Sequence, residues 1–493
     1  MNAPVVATAL LVERLALRGP LAPMPVAATG MGARRVHRHP ARLQGPLLTA
    51  GLAGGVGVGI RPGDIVVADE VVVDGRRIAI PSAPALAQSV RRCGLTVHVG
   101  PVAASAGVTT GSARRSLAQQ GILAVDMESG AFAEIAAGRP FAVVRAVVDT
   151  SDHPLLRPGT VIRGLQALRN LRRAAPALLE WAEAVADREV LLAAPRSFCA
   201  GVERAIDIVE RALDKYEAPI YVRRQIVHNA HVVRDLQQRG AVFVDEVDEV
   251  PEGARLVFAA HGVSPAVRDQ AERRRLDVID ATCPLVTKVH TEVKRYAGRG
   301  DTVFVIGHRN HEEVDGTLGE APGNVLVVEN AEQAALVQPP EPDRVAYVMQ
   351  TTLAVDEAEE IAGILRRRFP ALSSPRTDDI CYATTNRQLA VRRIAGDCDL
   401  MLVLGSGNSS NSRRLVEVAQ REGTPAYLVD DASQVDLRWL AGVRRIGITA
   451  GASAPPPLVD ELVACLGGLG SVRTQESVAA VEDLRFTLPR EVT

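Results

Sequence analysis

Aromatic residues make up only 3% of this 493-residue chain. So few ring faces leave little for the stacking platforms that single-stranded nucleic acid needs. Excess charge is also missing, since Lys+Arg 56 against Asp+Glu 58 leave −2. No global basic field invites a polyanion, so nucleic acid is not an expected partner. Cysteine is scarce: there are six, and none forms a C-x-x-C pair. That speaks against a secreted disulfide framework and against a zinc ribbon, and makes a reducing cytoplasm the expected compartment. No apolar run reaches the roughly 20 residues that span a bilayer, so no membrane is expected either. The opening "MNAPVVATALLVERLALRG" is apolar, but it lacks a charged leading segment and is interrupted at Glu13 and Arg14. It reads as a strand and a turn, not a signal peptide.

What is present is ordinary globular material, 47% hydrophobic and 23% charged. The length predicts two to four domains at roughly 100–200 residues each. Residues 1–187 are rich in Ala, Gly, Val and Arg. There "LLTAGLAGGVGVGIRPGDIVVADEVVVDG" reads as a strand, a Gly-rich turn and a second strand. "GILAVDMESGAFAEIAAG" reads as a strand end entering a helix, and "FAVVRAVVDTSD" as a buried strand. "LRNLRRAAPALLEWAEAVADRE" reads as one helix that leads out of the region. Over 188–475 short Val/Leu/Ile runs alternate with helical stretches, which predicts parallel sheets in an α/β fold. Residues 476–493 read as a mostly polar tail.

In such sheets, sites lie where strands run out into loops that enter helices. Three cysteines occupy that position: Cys199 in "PRSFCAGVERA", Cys283 in "DATCPLVTKVH" and Cys381 in "DDICYATTNRQ". A helix N-terminus favours a thiolate, the form that ligates metal. Their spacing, 84 and then 98 residues, leaves two readings: one shared metal site, or incidental buried thiols. Cys93, Cys398 and Cys465 lack the setting. Three strand-end loops add histidines: His228 in "VHNAHVV", His261 in "AAHGVS", and His308 and His311 beside Glu312 and Glu313 in "GHRNHEEVDGTLG". "GSGNSSNSRRL" suits either a phosphate cradle or a solvated helix cap, and "TAGASAPPPLV" repeats the pattern around Ser453. Thiols, histidines, an acid and an anion cradle together suit metal-assisted chemistry on a small phosphorylated molecule.

These blocks, with "QTTLAVD", resemble in order the signatures of the 4-hydroxy-3-methylbut-2-enyl diphosphate reductase family. The resemblance implies a trefoil of three α/β units around a central 4Fe-4S cluster, held by Cys199, Cys283 and Cys381 with one iron open. It implies reductive dehydroxylation of the allylic diphosphate to isopentenyl and dimethylallyl diphosphates, the last step of the non-mevalonate isoprenoid pathway. Glu313 would be the proton source, relayed through Thr351. His228, His261, Ser409, Ser410, Asn411 and Ser453 would hold the diphosphate, and His311 would place substrate and protons. The implied electron donor is a ferredoxin or flavodoxin. An iron–sulfur sensor or an RNA-binding module is the non-enzymatic alternative; the near-neutral charge and scarce aromatics count against its RNA version.

Residues 1–187 resemble the nucleoside phosphorylase and nucleosidase family, through the Gly-rich block, "AVDMESGAFAEIA" and "VVRAVVDTSD". The resemblance implies a nucleoside phosphorylase-like α/β domain. It maps Glu128 to ribose hydroxyls, Asp149 to protonation of the purine, and a catalytic-water base to the first strand, where Glu13 is the early acid. Leu52 stands where a serine is frequent. A degenerate module that keeps only the fold is the alternative.

Overall fold

A strand buried on both faces has no polar side to alternate with, so its sequence runs continuously apolar. Phe141–Asp149 is buried along its whole length and apolar except for Arg145, which pairs with Asp126, and the terminal Asp149. It pairs in parallel with Leu47–Gly55, Phe141 opposite Leu47, and its register shifts between Val147 and Asp149. The computed structural model that shows this describes residues 3–38, 40, 43–155, 157 and 159–493. The chain forms two compact units. The first comprises the chain up to Val190 with Asp431–Ile446 and Asp460–Gln475; the second comprises Leu191–Asp430, Gly447–Val459 and Glu476–Thr493. Neither unit is one contiguous stretch of sequence.

The first unit is built on a ten-stranded sheet centred on these two long strands. The sheet is mixed: Ile65–Val67 runs antiparallel to Phe141–Asp149. The expected strand and helix of "AVDMESGAFAEIA" are Ala124–Asp126 and Ser129–Ala136. Two local expectations need correcting. The opening strand, Val5–Thr8, is followed by a helix, Leu11–Arg18, and not by a turn. Glu13 accepts the N–H of Leu10 at 2.7 Å and so caps that helix from within its first turn. The single helix expected from residue 168 belongs to two, Thr160–Arg173 and Ala175–Ala184. Pro176 has no N–H to continue the first, but its fixed φ suits the opening turn of the second.

The second unit has three sheets with helices between their strands. A four-stranded parallel sheet runs Ala241–Val244, Ile220–Arg223, Arg255–Phe258, Asp277–Asp280. A three-stranded parallel sheet runs Val325–Val328, Thr302–Ile306, Val345–Met349. The third sheet pairs Ala426–Val429 in parallel with Leu400–Leu404 and continues within this unit through residues 447–450 and 191–194. Each has its own apolar core: Ile220, Val222 and Val257 in the first, Phe304, Ile306 and Tyr347 in the second, Met401, Val403 and Leu415 in the third. The alternating strands and helices predict the α/β fold, and the three sheets agree with the three units that the family resemblance implies. The polar tail is anchored: Val492 is buried among the core residues of the four-stranded sheet, and Tyr216 donates its hydroxyl to the carbonyl of Glu491 at 2.6 Å.

Candidate active site

Each sheet of the second unit delivers one cysteine to the start of a helix. After Arg188–Ala194, Cys199 is the N-cap of Ala200–Lys215. After Asp277–Asp280, Cys283 is the N-cap of Pro284–Ala297. Cys381 is the N-cap of Tyr382–Ala395, and its N–H donates to the carbonyl of Thr351, just past the strand Val345–Met349. The sulfurs share one space. A Cβ built on Gly201 would lie 2.7 Å from the Cys283 sulfur and 3.9 Å from that of Cys199, so only glycine fits there. Thr384 donates its N–H to the Cys381 sulfur at 3.3 Å, and its hydroxyl lies 3.1 Å away. Burial pushes the Cys283 thiol up to about 12 and the Cys381 thiol up to about 11, and the neighbouring Cys199 adds to both. Without a cation among them these sulfurs resist ionisation; a cation would reverse that balance.

The histidines face one another. His228 and His261 stack with centroids 4.0 Å apart, and His311 stands edge-on at 5.7 and 5.9 Å. Burial, reinforced by the other imidazoles, lowers His228 to about 2 and His311 to about 3, so both rings are neutral near pH 7. His311 caps the helix Glu312–Leu318 by accepting the Glu313 N–H on Nδ1 at 3.2 Å, which leaves Nε2 to carry its proton. Glu313 is 2% exposed. It accepts the Thr351 N–H at 2.7 Å and the Thr351 hydroxyl at 2.9 Å. Burial nevertheless raises its pKa, against the lowering effect of those two bonds.

The Ser/Asn loop opens the helix Ser410–Arg421, with Ser409 accepting the N–H of Ser412 as its cap. Ser453 donates to the carbonyl of His228 at 3.0 Å, which ties the second cradle to the histidine loop. Asn411 is buried, yet neither its amide nitrogen nor its oxygen has a hydrogen-bond partner among the described residues. Leaving a buried amide unpaired costs about 1–3 kcal/mol, so the side chain is set for a ligand that supplies the missing partner.

Twelve second-unit residues singled out from the sequence line one cavity: Cys199, Cys283, Cys381, His228, His261, His311, Glu313, Thr351, Ser409, Ser410, Asn411 and Ser453. Thr384, Tyr382, Thr352 and Phe486 line it too and escaped the sequence reading. The position of Thr384, three residues into a cysteine-capped helix, was a usable signal; Phe486 comes from the tail, which had none. Glu312 lies outside the lining but meets His261 at 3.3 Å. His308 turns to Arg414 instead.

The first unit has a separate cavity, lined by Glu13, Glu128 and Asp149 together. Glu128 accepts the N–H of Gly32 at 2.7 Å. Glu13 accepts the N–H groups of Leu10 and Leu52 on its two carboxylate oxygens. Burial raises both Glu13 and Glu128. Arg114, which the sequence reading did not single out, bridges Asp149 at 2.7 Å and is itself buried.

The LytB protein family matches residues 190–467, and the Phosphorylase superfamily matches residues 14–180. The chain is 56% identical over 307 residues to 4-hydroxy-3-methylbut-2-enyl diphosphate reductase 1 of Mycobacterium tuberculosis, covering 62% of this chain and 93% of that one. It is 57% identical over 305 residues to the 4-hydroxy-3-methylbut-2-enyl diphosphate reductase of Bordetella pertussis, covering 62% and 94%. The solved E-1-hydroxy-2-methyl-but-2-enyl-4-diphosphate reductase of Plasmodium falciparum superposes with a TM-score of 0.60 at 37% identity, over 62% of this chain and 97% of that one. With the cysteine, histidine and Ser/Asn loops on one cavity, these matches establish that the chain belongs to the LytB protein family, the 4-hydroxy-3-methylbut-2-enyl diphosphate reductases, and carries a Phosphorylase-superfamily module ahead of it.

Proposed function

We propose that the second unit converts (E)-4-hydroxy-3-methylbut-2-enyl diphosphate to isopentenyl and dimethylallyl diphosphates, the last step of the non-mevalonate (MEP/DOXP) isoprenoid pathway. The convergence of one cysteine from each of three sheets on a cavity that also holds the histidines and the Ser/Asn loop carries this reading. Three free, half-buried thiols at helix N-termini fit a 4Fe-4S cluster with Cys199, Cys283 and Cys381 as ligands and one open iron. When bound, the cluster supplies electrons and a Lewis-acidic position for the substrate's 4-hydroxyl.

The chain's own residues do the rest. His228, His261, Ser409, Ser410, Asn411 and Ser453 hold the diphosphate, with imidazole, amide and hydroxyl groups that do not crowd it. His311 presents its Nε2 proton to the same space. Glu313, whose pKa burial raises, is the catalytic acid beside the hydroxyl, and Thr351 orients it. Overall the C4–O bond breaks, two electrons and two protons enter, and water leaves. Reduced ferredoxin or flavodoxin is the donor class. The module boundary lies at 187/188, with 188–475 as the reductase module and 476–493 closing the second unit.

The test is anaerobic purification of the full chain followed by assay with a reduced donor. A brown protein that consumes the hydroxylated diphosphate and yields both products is expected. A colourless protein after reconstitution with iron and sulfide would overturn the cluster assignment.

For the first unit we infer base release from a purine nucleoside, because three carboxylates line one cavity. Glu128 takes the ribose hydroxyls, Glu13 activates water, and Asp149 protonates the base once Arg114 has left it. No base released by the full chain from a panel of adenosyl and thioadenosyl nucleosides would favour the degenerate module.

A further inference from the structure

Each cysteine-headed helix carries one cation shortly after its cysteine: Arg204, Lys288 and Arg387. The proposed chemistry uses none of them. Their targets form a pattern. Arg204, on the helix headed by Cys199, donates from Nη1 to the carbonyls of Ala281 and Thr282 at 3.3 and 3.1 Å. Those are the two residues before Cys283. Lys288, on the helix headed by Cys283, donates to the carbonyls of Thr377 and Asp378, both at 2.8 Å, and to the Asp379 carboxylate at 3.0 Å. That loop leads into Cys381. Arg387, on the helix headed by Cys381, donates to the Ser197 carbonyl from Nε at 3.2 Å and Nη2 at 2.7 Å, and to the Phe198 carbonyl at 3.2 Å. Those are the two residues before Cys199, and the circuit closes.

We propose that Arg204, Lys288 and Arg387 are positioning residues that form a ring of clamps, each fixing the next cysteine in the cycle against the helix headed by the previous one. This rests on the three cysteines being cluster ligands. An N-cap fixes a sulfur only relative to its own helix. Nothing in that local geometry sets the distance to the other two sulfurs, which sit on other sheets. A cation reaching from one helix to the neighbouring loop does set it, and charge-assisted bonds are roughly twice as strong as neutral ones. Arg387 is fully buried and also meets Glu482 of the tail at 3.1 Å. Its reach holds Ser197 in the positive-φ conformation, φ 62°, that turns the chain toward Cys199. Arg204 meets the tail as well, at the carbonyl of Thr487, 2.8 Å away. Residues 476–493 thus support two of the three clamps. Lys288 is braced by Asp379, whose other oxygen accepts the N–H of Met349 at 2.9 Å, tying that clamp to the sheet edge.

The test uses the full chain with its iron and sulfide assembled anaerobically. Iron release to a ferrous chelator is followed in wild type, Arg204→Met, Lys288→Met and Arg387→Met, with Arg211→Met as control. Arg211 lies on the same helix as Arg204 but pairs with Asp207 at the surface. Each clamp variant is expected to release iron on the order of tenfold faster, with the control unchanged. Lys288→Arg is expected to recover most of the retention. Where a Met variant loses its cooperative melting transition, Arg204→Lys or Arg387→Lys takes its place, with an intermediate rate expected because a point charge replaces a fork. The direction of the ring is read in the iron-free full chain by mapping alkylation. Lys288→Met should raise labelling at Cys381, Arg204→Met at Cys283 and Arg387→Met at Cys199. Iron release at the wild-type rate in all three, or labelling that rises at the cysteine heading the mutated helix itself, overturns the clamps. A wild-type chain that holds no iron overturns the ligand assignment instead.

Discussion

Replacing Glu313 by glutamine isolates one proton. The carboxylate accepts the Thr351 N–H at 2.7 Å on one oxygen and the Thr351 hydroxyl at 2.9 Å on the other. A glutamine oxygen keeps the first bond. The hydroxyl can rotate to accept from the new amide, so the second is replaced rather than lost. The shape of the site is preserved, and what disappears is the acidic proton. A positioned general acid contributes about 10²–10⁴ in rate, or roughly 3–5 kcal/mol of barrier. Glu313→Gln should therefore lower kcat by that factor in an anaerobic assay with a reduced donor, leave KM within about twofold, and keep iron content unchanged. The fold adds an independent sign. Burial raises the Glu313 pKa, so the folded state disfavours its ionised form. The resulting penalty appears as pH rises above the unfolded value, 4.5, and is full above the folded one. Glutamine removes it, so Tm at pH 7 should be unchanged or higher, and any gain should fade as pH falls toward 4.5. A variant with near wild-type kcat would refute the proton role. One with a sharply lower Tm would refute the claim that the site tolerates the amide.

Cys283→Ser should abolish iron retention after anaerobic reconstitution, read as loss of colour and of stoichiometric iron; a brown, active serine variant would remove Cys283 from the ligand set. Asn411→Ala deletes a buried amide that has no hydrogen-bond partner among the described residues. It should raise KM about 10- to 100-fold, the worth of one or two hydrogen bonds to a charged diphosphate, without destabilising the free protein. Burial holds His228 at about 2 and His311 at about 3, while the unfolded chain takes up protons near 6.5. Stability should therefore fall as pH drops below about 6.5, by on the order of 2 kcal/mol per histidine at pH 5. In the substrate-free protein the double variant His228→Gln, His311→Gln should lose less Tm than wild type between pH 7.5 and 5; parallel curves would count against the buried neutral imidazoles.

Much of the site was legible because its signals are local. A Cys, His or Ser/Asn cluster directly after a Val/Leu/Ile run and before a helix marks a strand end in a parallel sheet, whatever the rest of the chain does. Glu13 was legible only as an early acid; one of its carboxylate oxygens is held by the N–H of Leu52, 39 residues on. Arg114 carried no signal in the sequence, since its partner Asp149 lies 35 residues away. The tail read as polar because most of its side chains are, yet Phe486 reaches the cavity and Glu482 reaches Arg387.

The sequence by itself determined the alternation of strands and helices in the second unit, the helix-capping place of each cysteine in the set and, through family resemblance, the chemistry to look for. Hydrophobic period and cap residues act over a few positions, so they can be read along the chain. Tertiary structure alone decided that three sulfurs share one space, that Glu313 is sealed from water against Thr351, and that Arg204, Lys288 and Arg387 each hold a neighbour's loop. Those facts are contacts between segments 38 to 190 residues apart. They arise from how three sheets with separate cores pack, and no local pattern encodes that packing.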